Sequence, residues 1–215
     1  MKERTENLLN EFYQRYEKLE FLKSQIDETI KILVEAYKNG KKILVCGNGG
    51  SCADSEHIAG ELLKSFMLKR KVDEGLRNKL VDTFGEEGEY IANNLQQGIK
   101  CIPLTSFTAL NTAFANDCDE KMTFAQLTNT LGDEGDVLIG ISTSGNSKNV
   151  VYATKIAKIK GMKVVALTGE TGGKLKDLVD VLLNVPSKET FKIQEYHLPI
   201  YHILCACIES EIFAE

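Results

Sequence analysis

His57 and Glu61 stand four residues apart, which puts an imidazole and a carboxylate on one face of a helix. Such a pair can ligate one metal ion or serve as a proton-transfer pair. The plainer alternative is an exposed contact within the helix. Just upstream lies a glycine-rich turn, Cys46-Gly47-Asn48-Gly49-Gly50-Ser51, and much later a serine-rich one, Ser142-Thr143-Ser144-Gly145-Asn146-Ser147. Phosphate binding needs a close backbone approach and several converging donors. Glycine permits the first, while hydroxyls and the free N–H groups of a helix N-terminus supply the second. Neither turn carries the Gly-Lys-Ser/Thr of a P-loop or a G-x-G-x-x-G fingerprint, so a nucleotide is not indicated. Helix capping by Ser147 would account for one hydroxyl, but not for Ser142, Thr143 and Ser144. A third group, Gln194-Glu195-Tyr196-His197 followed by His202, holds two of the chain's three histidines.

Elements able to position these residues are legible in the hydrophobic pattern. Short apolar runs at 41–47, 99–104, 135–142, 162–169 and 178–186 read as strands. Between them, 52–68, 106–131 (broken near Asn116-Asp117) and 147–161 read as helices, and 190–214 as a closing helix that contains Pro199. Alternation of this kind predicts an α/β fold with a parallel sheet covered on both faces. Open parallel sheets bind ligands beyond the carboxyl ends of their strands, where both turns fall. Residues 1–40 read as a leading helix or helical hairpin whose apolar stripe packs on the domain or on a neighbouring subunit. Residues 41–215 form the domain itself. A charged insertion at about 67–98, with short helical patches, is expected as solvated surface.

Composition narrows the class. The 215 residues include 43% hydrophobic and 27% charged residues with a formal charge of −5, which suits one globular domain and excludes wholesale disorder. Mild acidity argues against nucleic acid as a partner. No apolar run approaches the ~20 residues of a membrane span, and the charged start lacks a signal core, so a cytoplasmic location and no membrane association are expected. The six cysteines, at 46, 52, 101, 118, 205 and 207, form no C-x-x-C pair. They read as small buried hydrophobes.

Taken together, CGNGGS (46–51), HIAGE (57–61), AND (115–117), GDVLIGISTSGNSKNV (135–150), GMKVVALTG (161–169) and IQEYH with His202 resemble the sugar isomerase (SIS) domain family, in particular the phosphoheptose isomerases. That resemblance implies a flavodoxin-like three-layer αβα sandwich around a five-stranded parallel sheet. It implies a homotetramer with active sites at subunit interfaces, a sugar phosphate as substrate, and zinc. By the same resemblance, Asn48, Gly49, Gly50, Ser51, Asn116, Asp117, Ser142, Thr143, Ser144, Ser147 and Gln194 bind substrate. His57, Glu61, Gln194 and His202 match the zinc ligands, while Glu61 and His202 match the base and acid of a ketose–aldose isomerisation. The alternative is a non-catalytic phosphosugar-binding regulator or protein-partner module on the same fold. Eight residues separate Gln194 from His202, about 12 Å of rise on a continuous helix. Either Pro199 interrupts that helix, or the two reach one centre from different copies of the chain.

Overall fold

The computed structural model describes residues 1–214. Five parallel strands run β1 (Ile43–Gly47), β2 (Cys101–Pro103), β3 (Val137–Ser142), β4 (Lys163–Thr168) and β5 (Val181–Asn184), in the spatial order β2-β1-β3-β4-β5. Every residue of β1 and β3 is buried, as expected of central strands covered on both faces. The edge position goes to β2, which is short and ends in a proline that needs no ladder partner on its open side.

Strand periodicity sorts the core into two layers. Ile43, Val45, Val137, Ile139, Ile141, Val165 and Leu167 face one side, while Leu44, Cys46, Leu138, Val164 and Ala166 face the other. The first layer is covered by α1 (Glu3–Arg15), α2 (Lys23–Lys38), α3 (Gly50–Leu63) and α8 (Thr190–Phe213). The second is covered by α6 (Thr123–Leu131) and α7 (Lys148–Ile159). The N-terminal helices thus join the main core: Leu9 and Phe12 of α1 and Ile26, Ile30 and Leu33 of α2 are buried in it. Thr5 and Ser210 add a buried hydroxyl pair between α1 and α8 at 3.0 Å. Four cysteines are buried, Cys52 is half-buried and Cys118 is exposed.

Two expectations need amending. The segment 67–98 is more ordered than a set of short patches: α4 (Glu74–Asn94) doubles back at Gly85, whose φ of 57° only glycine adopts easily. Asp73 caps its start through Leu76 N–H, and Arg77 bonds Glu89 and Asn93 across the fold. Only Gly88 and Ala92 of α4 are buried, so the hairpin faces solvent almost throughout. The break expected near Asn116-Asp117 is a π-helical turn at Ala115–Asp119 after α5 (Thr108–Phe114). Among the described residues no helix is long and apolar enough to cross a membrane.

Pro199 does not interrupt α8. The carbonyl it leaves without a helical partner is that of Glu195, which is exposed and can bond water. Two residues from each, His197 is fully buried, with Nε2 3.3 Å from the Thr168 carbonyl. Burial outweighs that hydrogen bond and lowers its pKa from 6.5 to about 4. The unfolded chain therefore binds the proton first as pH falls, so stability is full above pH 6.5 and drains away toward pH 4. The expected loss from this group is about 3 kcal/mol by pH 4. Urea unfolding at pH 7 and pH 4 checks it: His197→Leu should lose that share of the pH dependence, and an unchanged slope would refute it.

Candidate active site

Two loops leave the carboxyl ends of the adjacent strands β1 and β3. The first runs from β1 into α3. Gly47 closes the strand where any Cβ would press on Ser51, and Gly49 makes the turn at φ 57°. Ser51 is buried at the start of α3. The second loop runs from β3 into α7. Ser142 is buried and its Oγ lies 2.9 Å from Ser147 Oγ. Ser147 stands at the N-cap of α7 yet makes no side-chain cap bond, so capping does not account for its hydroxyl. Thr143 is half-buried, and Ser144, exposed, accepts from Asn146 N–H at 3.1 Å.

Cross-links hold the two loops together. Asn48 and Asn149 exchange amide hydrogen bonds at 2.9 and 2.8 Å. Asn146 Oδ1 accepts from Lys174 N–H at 3.1 Å, which ties the serine loop to the segment after β4. Gly145 (φ 65°) sits so close to Gly172 that a Cβ would collide with its carbonyl. Gly145→Ala should therefore destabilise the protein by more than about 1 kcal/mol. A wild-type urea midpoint in that variant would show that the two loops do not need this contact. The resulting cradle presents hydroxyls beside two helix N-termini, an arrangement suited to an oxyanion such as phosphate.

Along α3 the second centre begins. His57 Nε2 and His202 Nε2, the latter from α8, each lie 3.2 Å from Glu61 Oε1. Glu61 is 6% exposed, and its Oε2 is buried with no partner; His202 Nε2 likewise lacks a formal hydrogen bond. Burial raises the Glu61 pKa, against the opposing pull of His57 and a hydrogen bond from Cys205. That shift moves Glu61 toward neutral pH, where general bases work best. Burial and the neighbouring His57 lower the pKa of His202, which favours the neutral imidazole, the form that ligates metals. Two imidazoles and a carboxylate with ligand atoms within 4.8 Å of one another form a donor set for a divalent metal. The orphaned His202 Nε2 fits that use, since a cation would satisfy it.

The remaining expected site residues fall elsewhere. Gln194 lies against Gly50, where a Cβ would strike its amide. It belongs to the cradle end of α8, not to the His57–Glu61–His202 cluster. Gly49 and Gly50 lie in that same turn into α3. Asn116 and Asp117 are exposed and bond each other at 2.9 Å; among the described residues no hydrogen bond joins them to either loop. Sequence reasoning misses Asn149, Asp54, Tyr201 and the pair Arg70–Glu209. His57 Nδ1 lies 2.9 Å from the Tyr201 hydroxyl. A Tyr next to a ligand-type His, and an Asp three residues before one on the same helix, were the available signals.

Arg70 and Glu209 form an ion pair at 2.6 Å with both side chains fully buried. Glu209 also accepts from the N–H groups of Phe66, Met67 and Leu68 at 2.8, 2.7 and 2.9 Å. The Arg70 guanidinium donates to the Leu62 and Glu61 carbonyls at 2.8 and 3.2 Å. It thereby caps the C-terminal end of α3, the turn that carries Glu61.

Residues 8–83 and 99–169 match the family described as SIS domain, the match passing over 84–98. A phosphoheptose isomerase of Helicobacter pylori is 42% identical over 191 residues, 89% of this chain and 86% of that protein. One from a Nitratiruptor species is 40% identical over 98% of this chain and 99% of its own. Among solved structures, phosphoheptose isomerase GmhA from Neisseria gonorrhoeae superposes with a TM-score of 0.73 at 35% identity, covering 97% of this chain and 98% of that one.

Proposed function

The chain belongs to the SIS domain family, and on that footing we propose that it is an aldose–ketose isomerase interconverting sedoheptulose 7-phosphate and D-glycero-D-manno-heptose 7-phosphate, or a closely related sugar phosphate. One observation carries the reading: Glu61 faces both imidazoles with Oε1 and keeps Oε2 buried and free. A carboxylate so held has one oxygen to bind and the other to take a proton. It can therefore be ligand and base at once.

The chemistry follows from these positions. Hydroxyls of Ser51, Ser142, Thr143, Ser144 and Ser147 hold the phosphate, far from the reacting carbons, so that its binding energy serves orientation. Asn48, Gly49, Gly50, Asn116, Asp117 and Gln194 line the sugar's path. Glu61 Oε2 lifts the proton from C1 of the ketose while the neutral imidazole of His202 gives its Nδ1–H proton to the C2 oxygen, which yields the enediol. Glu61 returns its proton to C2, the O1 hydroxyl gives up its own to His202, and the aldose results. His57, Glu61 and His202 would hold a zinc ion, with Gln194 as a fourth ligand. Such an ion would polarise the carbonyl and stabilise charge on the two oxygens.

We place the enzyme in the cytoplasm as a homotetramer with interfacial sites. Two distances support the composite site. Gln194 and His202 lie about 12 Å apart along an unbroken helix. Ser51 and Glu61 lie about 15 Å apart along α3, whereas eight bonds from phosphorus to C1, at about 1.2 Å each, reach only about 10 Å. A cradle from one copy and a cluster from another close that gap. A forced-monomer variant that kept full activity would overturn this part of the reading.

The test is isotope exchange. Zinc-loaded protein is incubated with sedoheptulose 7-phosphate and a panel of other sugar phosphates in heavy water. Deuterium should appear at the carbon beside the carbonyl, fastest with the heptose. If no sugar phosphate exchanges, the isomerase reading fails.

A further inference from the structure

Glu61 and His202 come from different helices, so their 3.2 Å contact exists only while α3 and α8 hold one relative position. The last carbonyls of a helix have no partner within it. On α3 the helix ends at Leu63, two residues after Glu61, and Lys64 leaves in extended backbone with φ −138°, not in the left-handed turn that caps many helices locally. Arg70 supplies the missing donors. Its Nη1 and Nη2 reach the Leu62 and Glu61 carbonyls at 2.8 and 3.2 Å, and its Nε donates to Glu209 Oε1 at 2.6 Å. The guanidinium also lies 4.9 Å from the centroid of the Phe213 ring on α8.

Glu209 stands seven residues after His202 on α8, two turns and about 10 Å along the same face. It also accepts from the N–H groups of 66–68, the segment whose Phe66 ring lies 6.1 Å from that of His202. One ion pair therefore grips both sides of the Glu61–His202 contact. Stability alone does not call for two charges here, because an apolar pair of similar volume often serves a buried site as well or better. Apolar packing has little direction, whereas a guanidinium fork fixes angle and distance together.

We propose that Arg70 and Glu209 are positioning residues for the isomerisation: their clamp locks the last turn of α3 against α8 so that the Glu61 carboxylate meets His202. Such a role rests on Glu61 being the isomerase base, and it adds to that reading what holds the base in place.

Two variants test it. Arg70→Met/Glu209→Leu replaces the pair by apolar side chains and should stay folded by urea unfolding. It should nevertheless turn over sedoheptulose 7-phosphate about a hundredfold more slowly, the effect of a misplacement near 1 Å. Its KM should stay within about twofold of wild type, because other residues make the phosphate cradle. Its crystal structure should show Glu61 Oε1 outside hydrogen-bond reach of His202 Nε2. Arg70→Lys keeps a charge opposite Glu209, but one ammonium cannot serve the carboxylate and both carbonyls in the plane of a fork, so its turnover should fall in the same way. A folded variant of either kind that keeps turnover within about twofold of wild type, or that keeps the 3.2 Å contact, overturns the clamp as a positioning device. So does failure of both to fold, since the pair would then be needed for the fold and not for placing Glu61. If the wild type itself exchanges no deuterium, the isomerase reading fails, while the Glu61–His202 distance in the variant crystals still decides what the clamp does.

Discussion

Replacing Glu61 by Gln should reduce turnover by a factor of about 10²–10⁴, the range contributed by a positioned general base. The amide keeps the size and shape of the carboxylate, so the backbone of α3 and the packing against α8 should persist. It cannot accept a carbon-bound proton at neutral pH. Deuterium uptake from heavy water should therefore vanish together with turnover, while affinity for the phosphate end of the substrate stays within a few-fold, because the cradle is made by other residues. Exchange at more than about a tenth of the wild-type rate in Glu61→Gln would remove this residue from the role of base. The elevated pKa of Glu61 has its own consequence. Burial favours the protonated acid, so the free enzyme should lose activity on the acidic limb at a pH above that of an ordinary carboxylate.

Glu209→Ala is expected to cost about 3–5 kcal/mol of folding stability, the usual consequence of leaving one partner of a buried ion pair alone. Arg70 would be stranded at a site where its side chain is 0% exposed, and three N–H groups of the segment 66–68 would lose their acceptor. Burial alone would raise the Glu209 pKa, but the bonds from Phe66, Met67 and Arg70 overcome it and hold it below the ordinary value. A lowered carboxylate pKa gives stability that is present above the unfolded value and lost as pH falls through the folded one. Glu209 and His197 thus weaken the fold in the same direction, toward acid. Urea unfolding of Glu209→Ala and of the double variant Arg70→Met/Glu209→Leu separates charge from packing. The double variant should recover much of the loss. If Glu209→Ala unfolds at the wild-type midpoint, the pair is not what holds the 65–70 segment.

Much of this protein is legible in its residues, because its strands are short, apolar and set between helices of ordinary length. Each of the five strands lies within a few residues of the apolar run that predicts it, and the ligand end of the sheet follows from the two glycine- and serine-rich turns. Helical spacing alone brings His57 and Glu61 together. His202 joins them only through tertiary packing of α8 against α3, a contact between distant parts of the chain that no local pattern encodes. The same holds for Arg70–Glu209 and Asn48–Asn149, whose partners are also far apart in sequence. The hairpin at α4 escapes such a reading because its charged residues bond one another across Gly85, so ordered structure there needs almost no apolar pattern. Pro199 suggests a break because proline removes one helical hydrogen bond, whereas the exposed turn at Glu195 tolerates the loss.

The amide pair between Asn48 and Asn149 has a thermodynamic side. It joins the loop after β1 to the first turn of α7, into which the loop after β3 runs, before any ligand arrives, and Asn146 fastens the loop after β3 to a third segment. Ordering a backbone residue takes about 1–2 kcal/mol of conformational entropy. Here that cost is borne at folding, once per molecule, and not at each encounter with a ligand. An anion entering the cradle meets donors already aimed, so its affinity reflects contact and desolvation, with little lost to arranging the walls.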